Sequence, residues 1–235
     1  MFLESYCNNS AGKISFTRQQ ASDFAKKVAD DFNPLHDVSA KRFCVPGDLL
    51  FSLALEKSGL SQEMKFTFSG MVSDGIALNF PETIHSHAAI VDDNNKEYLT
   101  IDVKGENTKN TATIESLTKA YVEFSGHTFP HILVALMAEN NVMINPTRPM
   151  VMYESMTIHL DSLAFNNVLL ELATSTLSID GKRGVADLRF NLIADGEKIG
   201  HGKKHMLLSG LRPYEQSVID AIVDEYNNKK AQFVS

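Results

Sequence analysis

The segment from Asp48 to Lys57 carries apolar residues on almost every side of a predicted helix. Its central part reads Leu-Leu-Phe-Ser-Leu-Ala-Leu, and Pro46 opens it. A helix that is apolar all round has no face to present to water, so other structure has to enclose it. The rest of this chain is therefore expected to fold around this helix.

A second segment repeats the same organisation. Residues from Phe129 to Asn140, opened by Pro130, form another predicted helix that is apolar on most sides. Each helix is accompanied by segments with the alternation typical of strands. Around the first helix and after it these are Lys13–Thr17, Lys65–Ser69, Ile76–Phe80, Ile84–Val91, Lys96–Lys104 and Thr111–Phe124. After the second helix they are Met150–Leu160, Val168–Ile179, Val185–Ala194 and Lys198–Leu208, joined by hairpin turns at residues 180–184 and 195–196.

A buried helix wrapped by an antiparallel sheet is the hotdog arrangement, and the pattern occurs twice. We therefore predict an α+β protein with a tandem (double) hotdog fold, divided into residues 1–124 and 125–235. The amphipathic segment after Pro213 is predicted to be a helix that packs on the outside. Hotdogs usually pair side by side into one sheet, and two in one chain can satisfy that pairing internally. A monomer of two hotdogs and a homodimer of such units both remain open.

Charge and composition narrow the class of partner. The net charge of -7 and the isoelectric point near 5.6 argue against a general nucleic-acid surface. The N-terminal residues lack the basic and apolar regions of a signal peptide, and no apolar run is long enough to cross a membrane. Cys7 and Cys44 are too few for a disulfide framework or a cysteine-based zinc site. We expect a cytoplasmic protein that binds no nucleic acid, no membrane and no metal.

The segment Asp30-Asp-Phe-Asn-Pro-Leu-His-Asp37 is the candidate for chemistry. Adding water across an activated double bond requires one group to activate the water and another to deliver a proton. Asp31 at a predicted helix end and His36 just beyond the Pro34 turn are close enough in the sequence to share these roles. The alternative is that Asp31 and Asn33 merely end the helix and form the turn, with His36 on the surface.

The order Asp-x-Asn-Pro-Leu-His, with Phe24-Ala25 before it and Ala40 to Phe43 after it, resembles the signature of MaoC-like, R-specific enoyl-CoA hydratases. The resemblance covers about residues 20 to 80. It implies a lyase of fatty acid metabolism that reversibly hydrates trans-2-enoyl thioesters to R-3-hydroxyacyl thioesters. The partner would be an acyl-CoA or an acyl-ACP, with coenzyme A or phosphopantetheine as part of the substrate. No metal or redox cofactor is implied.

Carried over by position, the resemblance makes Asp31 and His36 the catalytic pair and Asn33 a substrate-binding residue that organises the site. Family members have a His-Gly pair at the start of the central helix, where the glycine amide binds the thioester carbonyl. Here the corresponding residues are Pro46-Gly47-Asp48. Gly47 is therefore a substrate-binding candidate, although the Asp48 carboxylate competes for the positive end of the helix dipole.

This departure leaves three functional classes open. The first is a hydratase or dehydratase acting on enoyl or 3-hydroxyacyl thioesters. The second is a double hotdog that binds an acyl thioester or serves in assembly without catalysis. The third is a thioesterase, since hotdogs also host that chemistry. Lys41 and Arg42 are either ligands for the phosphates of the thioester carrier or part of a solvated turn.

Overall fold

The computed structural model describes residues 2–234. Its α-helices are α1 (Arg18–Lys27), α2 (Gly47–Ser58), α3 (Thr111–Gly126), α4 (Leu133–Glu139) and α5 (Gln216–Val234). Single helical turns of other types lie at Phe2–Tyr6, Pro34–His36 and Thr128–Ile132. The strands are β1 (Asn8–Ser10), β2 (Lys13–Ser15), β3 (Leu60–Phe68), β4 (Leu78–Asn79), β5 (His87–Val91), β6 (Glu97–Thr108), β7 (Val142–Met143), β8 (Val151–Leu160), β9 (Val168–Asp180), β10 (Arg183–Ala194), β11 (Glu197–Ser209) and β12 (Arg212–Pro213).

One antiparallel sheet runs through both halves of the chain in the order β1-β2-β4-β5-β6-β3-β8-β11-β10-β9. The halves join where β3 pairs with β8, from Glu63 opposite His159 to Thr67 opposite Ser155. Helices α2 and α3 contact each other, and α3 also contacts β9. The protein is therefore a double hotdog, as predicted, and the pairing of its two units takes place within one chain. The predicted boundary after residue 124 stays a prediction.

Helix α2 occupies the place that its sequence predicts. Nine of its residues are buried, among them Phe51, whose ring lies 5.0 Å from the ring of Phe66 and 4.8 Å from that of Tyr121. Gly59 ends the helix with a φ of 88°, a conformation that favours glycine. A side chain there would also collide with Asn107. The apolar residues of α2 share one cluster with residues of the second half such as Ile158 and Phe190, which explains why the helix is apolar all round.

The predicted strand Thr111–Phe124 is wrong, because this segment forms α3. The side chain of Asn110 accepts hydrogen bonds from the amides of Ala112 and Thr113 and so caps the helix. Its buried residues recur with helical spacing: Ile114, Leu117, Thr118, Tyr121, Val122 and Ser125. Threonine, valine and tyrosine favour strands locally, but burial along one helical face decides the outcome.

The second central helix is consequently misplaced in the sequence prediction. Helix α3 lies beside α2, whereas the predicted helix Phe129–Asn140 is reduced to a turn followed by α4. Helix α4 belongs to a separate apolar cluster that also includes residues of β9, β10, β11 and α5. The predicted hairpins β9–β10 and β10–β11 and the outer C-terminal helix are confirmed. No helix within residues 2–234 is long and apolar enough to cross a membrane.

Candidate functional site

The segment between α1 and the turn at Pro34 brings the predicted pair together. A capping box between Thr17 and Gln20 fixes the start of α1. After α1 the chain reverses at Asp30, which has a φ of 52°. Asp31 Oδ1 then accepts a hydrogen bond of 2.9 Å from the Asn33 amide, and Asn33 Oδ1 accepts one of 3.1 Å from the Leu35 amide. Asp31 and Asn33 therefore shape the turn that presents His36.

The His36 ring is oriented by its own backbone contact. Nδ1 lies 2.7 Å from the carbonyl oxygen of Cys44. A carbonyl only accepts, so Nδ1 carries the hydrogen and Nε2 is the acceptor of the neutral ring. Nε2 lies 3.7 Å from Asp31 Oδ2, and the two side chains are only 12% and 23% exposed. The structure thus gathers a carboxylate and an imidazole nitrogen where one water molecule can contact both.

Gly47 begins α2 and is covered by two aromatic rings. A Cβ at this position would lie 3.1 Å from Cε1 of Phe68 and 3.3 Å from Cδ1 of Tyr153. The amides of the first helical turn lack partners within the helix, and the helix dipole favours negative charge there. Gly47 therefore stands where a carbonyl oxygen would be stabilised, and its role stays a prediction, as does that of Asn33.

The Asp48 side chain is part of a buried polar network. Its Oδ2 accepts a hydrogen bond of 2.6 Å from the Ser125 hydroxyl of α3. Lys204 of β11 donates to the same hydroxyl at 2.6 Å. Asp48, Ser125 and Lys204 are all buried. One residue from the first half and two from the second are thus joined in a chain of hydrogen bonds, which we call the Asp48–Lys204 network.

Two tyrosines extend this network. The hydroxyls of Tyr121 and Tyr153 form a hydrogen bond, and the Lys204 ammonium lies 4.6 Å from the centroid of the Tyr153 ring. Burial raises the pKa of both tyrosines well above the ordinary value of 10, and the Asp48 charge adds to this effect. Both phenols therefore stay protonated.

Burial also governs the charges of Asp48 and Lys204. It raises the pKa of Asp48, against the effects of Lys204 and the Ser125 hydroxyl. It lowers the pKa of Lys204, against the effects of Asp48 and Asp31. Asp48 Oδ1 has no hydrogen-bond partner among residues 2–234. Sequence reasoning singled out Asp48 and missed its partners. The available signal was that Lys204 shares the inward face of β11 with Gly202, Met206 and Leu208.

Helix α5 covers Asp30–Asp37, which we call the motif segment. The Tyr226 hydroxyl donates to the Asp30 carbonyl at 3.1 Å and accepts from the Phe32 amide at 3.3 Å. Lys229 pairs with Asp37 at 3.1 Å, and Lys230 pairs with Asp30. The ring of Phe32 meets those of Tyr226 and Phe233 edge to face. We call this set of contacts the α5 clamp.

The α5 clamp is expected to loosen in acid. Burial raises the pKa of Asp30 and Asp37, but their lysine partners, with His127 beside Asp30, outweigh burial and hold each pKa below its ordinary value of 3.8. A carboxylate whose pKa is lowered by folding contributes its full stabilisation above its ordinary pKa. This contribution disappears as the pH falls through the lowered pKa of the folded state. Hydrogen exchange of α5 amides, corrected for the intrinsic effect of pH, should therefore increase below about pH 4. In the double variant Lys229→Ala/Lys230→Ala, exchange should already be fast at pH 7 and depend less on pH. Equal protection of the α5 amides at pH 7 and below about pH 4 in the unsubstituted protein would contradict the role given to these ion pairs.

Other sequence candidates lie as follows. Lys41 and Arg42 are exposed on the segment that follows the motif. Burial raises the pKa of the Cys44 thiol to about 11, so this group is not a thiolate nucleophile. A cavity of about 260 Å³ lies between the motif segment and α5, lined by residues that include Phe32, Asp37 and Lys229. Another of about 240 Å³ lies between α2 and α3, lined by residues that include Ser52 and Thr118.

Comparisons with known proteins give one family and several similar solved structures. The family model described as "Protein of unknown function (DUF3581)" matches residues 1–217. No curated protein matches the sequence significantly. Among solved structures, a conserved protein of unknown function with a hot dog fold from Alicyclobacillus acidocaldarius has a TM-score of 0.48 at 7% identity, covering 89% of this chain and 98% of its own.

Two further solved structures have names that refer to enzymes. The acyl-CoA thioesterase II TesB2 from Mycobacterium marinum has a TM-score of 0.43 at 8% identity, covering 92% of this chain and 99% of its own. A MaoC-like dehydratase has a TM-score of 0.44 at 10% identity, covering 87% of this chain and 98% of its own. The assignment of the fold rests on the sheet and helices described above.

Proposed function

We propose that this chain, which belongs to the DUF3581 family of proteins of unknown function, reversibly hydrates enoyl thioesters at the Asp31–His36 pair. The single observation that carries the proposal is the distance of 3.7 Å between Asp31 Oδ2 and His36 Nε2, with His36 Nδ1 anchored on the Cys44 carbonyl. The order of these residues resembles that of R-specific enoyl-CoA hydratases. The proposed activity is therefore that of a lyase acting on enoyl or 3-hydroxyacyl thioesters.

The proposed reaction needs only the substrate and one water molecule. One member of the pair takes a proton from the water as its oxygen bonds to the β carbon of the substrate. The other gives a proton to the α carbon, and the proton taken from water then passes across the pair, so that both groups return to their starting states. The reverse sequence eliminates water. Gly47, at the positive end of α2, would bind the thioester oxygen as negative charge develops on it. Asn33 would hold the turn that orients the pair.

The acyl carrier would be coenzyme A or acyl carrier protein, both of which present a phosphopantetheine arm. Lys41 and Arg42 are exposed close to the motif in the sequence and would meet the phosphate or phosphates of the carrier. A non-catalytic binder of acyl thioesters is the second candidate. The α5 clamp supports it, because a helix held over the motif segment by two ion pairs suits retention of a ligand.

Hydration of crotonyl-CoA and of longer enoyl-CoAs tests the proposal directly. We expect activity in the unsubstituted protein, and a loss of roughly a hundredfold or more in kcat/KM for Asp31→Asn and for His36→Ala. His87→Ala is a matched control, because His87 Nδ1 lies 2.7 Å from Asp102 in an exposed pair on another part of the sheet. This variant should keep full activity.

Two outcomes contradict the catalytic proposal. One is absence of hydration with every chain length, whether the acyl group is carried by coenzyme A or by acyl carrier protein. The other is undiminished activity in both motif variants. Calorimetric binding of acyl-CoA without turnover would favour the second candidate.

A further inference from the structure

We infer that Lys204, from the second half of the chain, is a positioning residue for the Asp31–His36 site. Together with Ser125 it holds the Asp48 carboxylate at the start of α2, and its positive charge offsets the charge of that carboxylate. The inference rests on the proposed function. It gives the second hotdog a part in a site whose other residues come from the first.

The contacts of Lys204 fit an ammonium group. Its Nζ donates to the Ser125 hydroxyl at 2.6 Å, to the Ser125 carbonyl at 3.2 Å and to the Thr128 hydroxyl at 3.2 Å. Three acceptors match the three N–H groups of a protonated lysine. Lysine is almost never fully buried unless it is paired. The anion that pairs with it here is Asp48, reached through one hydroxyl.

Ser125 carries the connection between the two charges. Its oxygen accepts from Lys204, so its own hydrogen is free to bond to Asp48 Oδ2 at 2.6 Å. The serine thus orients the Asp48 carboxylate and connects it to the Lys204 ammonium group. Without Lys204, the main effect that opposes burial at Asp48 is lost, so the pKa of Asp48 rises further. Above that pKa, the carboxylate stands next to Gly47 without compensation and opposes the negative charge that develops on a thioester oxygen.

The groups that face Lys204 limit what can titrate around it. Asp48 comes from α2, Tyr121 from α3, Tyr153 from β8 and Asp31 from the motif segment, while His36 acts on Asp48. The tyrosines stay protonated. Loss of Lys204 therefore adds negative potential near the pair at any pH where Asp48 is ionised. Proton binding at the pair then becomes more favourable.

Three variants test the inference: Lys204→Met, the charge-balanced double variant Lys204→Met/Asp48→Asn, and Lys203→Met as control. Lys203 is the neighbouring residue, and it pairs with Asp187 at 3.6 Å instead of joining the network. Lys204→Met should lower kcat for enoyl-CoA hydration roughly ten- to a hundredfold with little change in KM. It should also move the acidic limb of the kcat/KM profile to higher pH. The double variant should recover most of the kcat and most of the original pH profile. Lys203→Met should match the unsubstituted protein in both properties.

A readout independent of turnover separates failure of this inference from failure of the proposed function. NMR titration of the His36 ring should have its midpoint at higher pH in Lys204→Met and return to the original midpoint in the double variant. If hydration is absent but these midpoints move as expected, the proposed function fails and the positioning role stands. If the folded Lys204→Met variant leaves both the pH profile and the His36 titration unchanged, the inference is overturned. Failure of the folded double variant to recover either property has the same consequence.

Discussion

Replacing Phe51 by alanine is expected to lower the free energy of unfolding by about 3–5 kcal/mol, because the ring is fully buried between β3 and α3. It lies 5.0 Å from the ring of Phe66 on β3 and 4.8 Å from that of Tyr121 on α3. Truncation removes the area that β3 and α3 bury against the Phe51 ring and leaves a cavity between them. Neighbouring side chains are held by the sheet on one side and by α3 on the other, so the site has little freedom to collapse.

Chemical denaturation of Phe51→Ala measures this loss. The control is Leu169→Ala, since Leu169 is 65% exposed and its truncation should change the free energy of unfolding by no more than about 0.5 kcal/mol. The first apolar cluster contains residues of both halves, so a single transition is expected in both variants. A loss below about 1 kcal/mol for Phe51→Ala would contradict the assignment of α2 to the shared core.

A methyl group at Gly126 is expected to disturb the fold and the site together. A Cβ there would lie 1.7 Å from the carbonyl oxygen of Ala29, which directly precedes the motif segment. Alanine in place of glycine favours a helix interior by about 1 kcal/mol. The clash outweighs this gain, because the contacting atom belongs to the backbone and cannot rotate away. We expect a net loss of about 1–3 kcal/mol as α3 and the motif segment separate.

The measurement for Gly126→Ala combines denaturation with the hydration assay. Glu123→Ala is the matched control, because Glu123 is exposed on the same helix and its replacement changes little beyond helix propensity. Displacement of Asp30 and Asp31 should lower kcat/KM in Gly126→Ala even under conditions where the protein remains folded. Stability and activity equal to those of the control would show that α3 does not set the position of the motif.

Sequence reasoning succeeded where the structural signal is local. Helix α2 is apolar on every side, and this property predicts an enclosed helix wherever the enclosing strands come from. Asp31 and His36 are separated by one proline turn, so their approach follows from short-range geometry. The hairpin at Asp195 and Gly196 was predictable for the same reason, since its turn residues have the positive φ that such turns require.

The remainder depends on contacts between distant residues. Helix α3 contains residues with strand preference, and its burial against α2 and β9 stabilises the helix relative to a strand. The Asp48–Lys204 network joins α2, α3 and β11, and no short motif records that combination. The amphipathic pattern of α5 predicts that the helix packs, but it does not say against which part of the chain. The side-chain partners of Asp30 and Asp37 were therefore beyond prediction.

The α5 clamp has a consequence for the order in which the protein acquires its site. Tyr226 and Lys230 bind Asp30 across 196 and 200 positions of sequence. Chains begin to fold while they are being synthesised, with N-terminal parts first. The first half can form its helices and its share of the sheet early, but the loop around Asp31 receives its final contacts only after Lys230 has left the ribosome. The motif is thus synthesised 200 positions before Lys230 and receives its last contacts only after that residue is available.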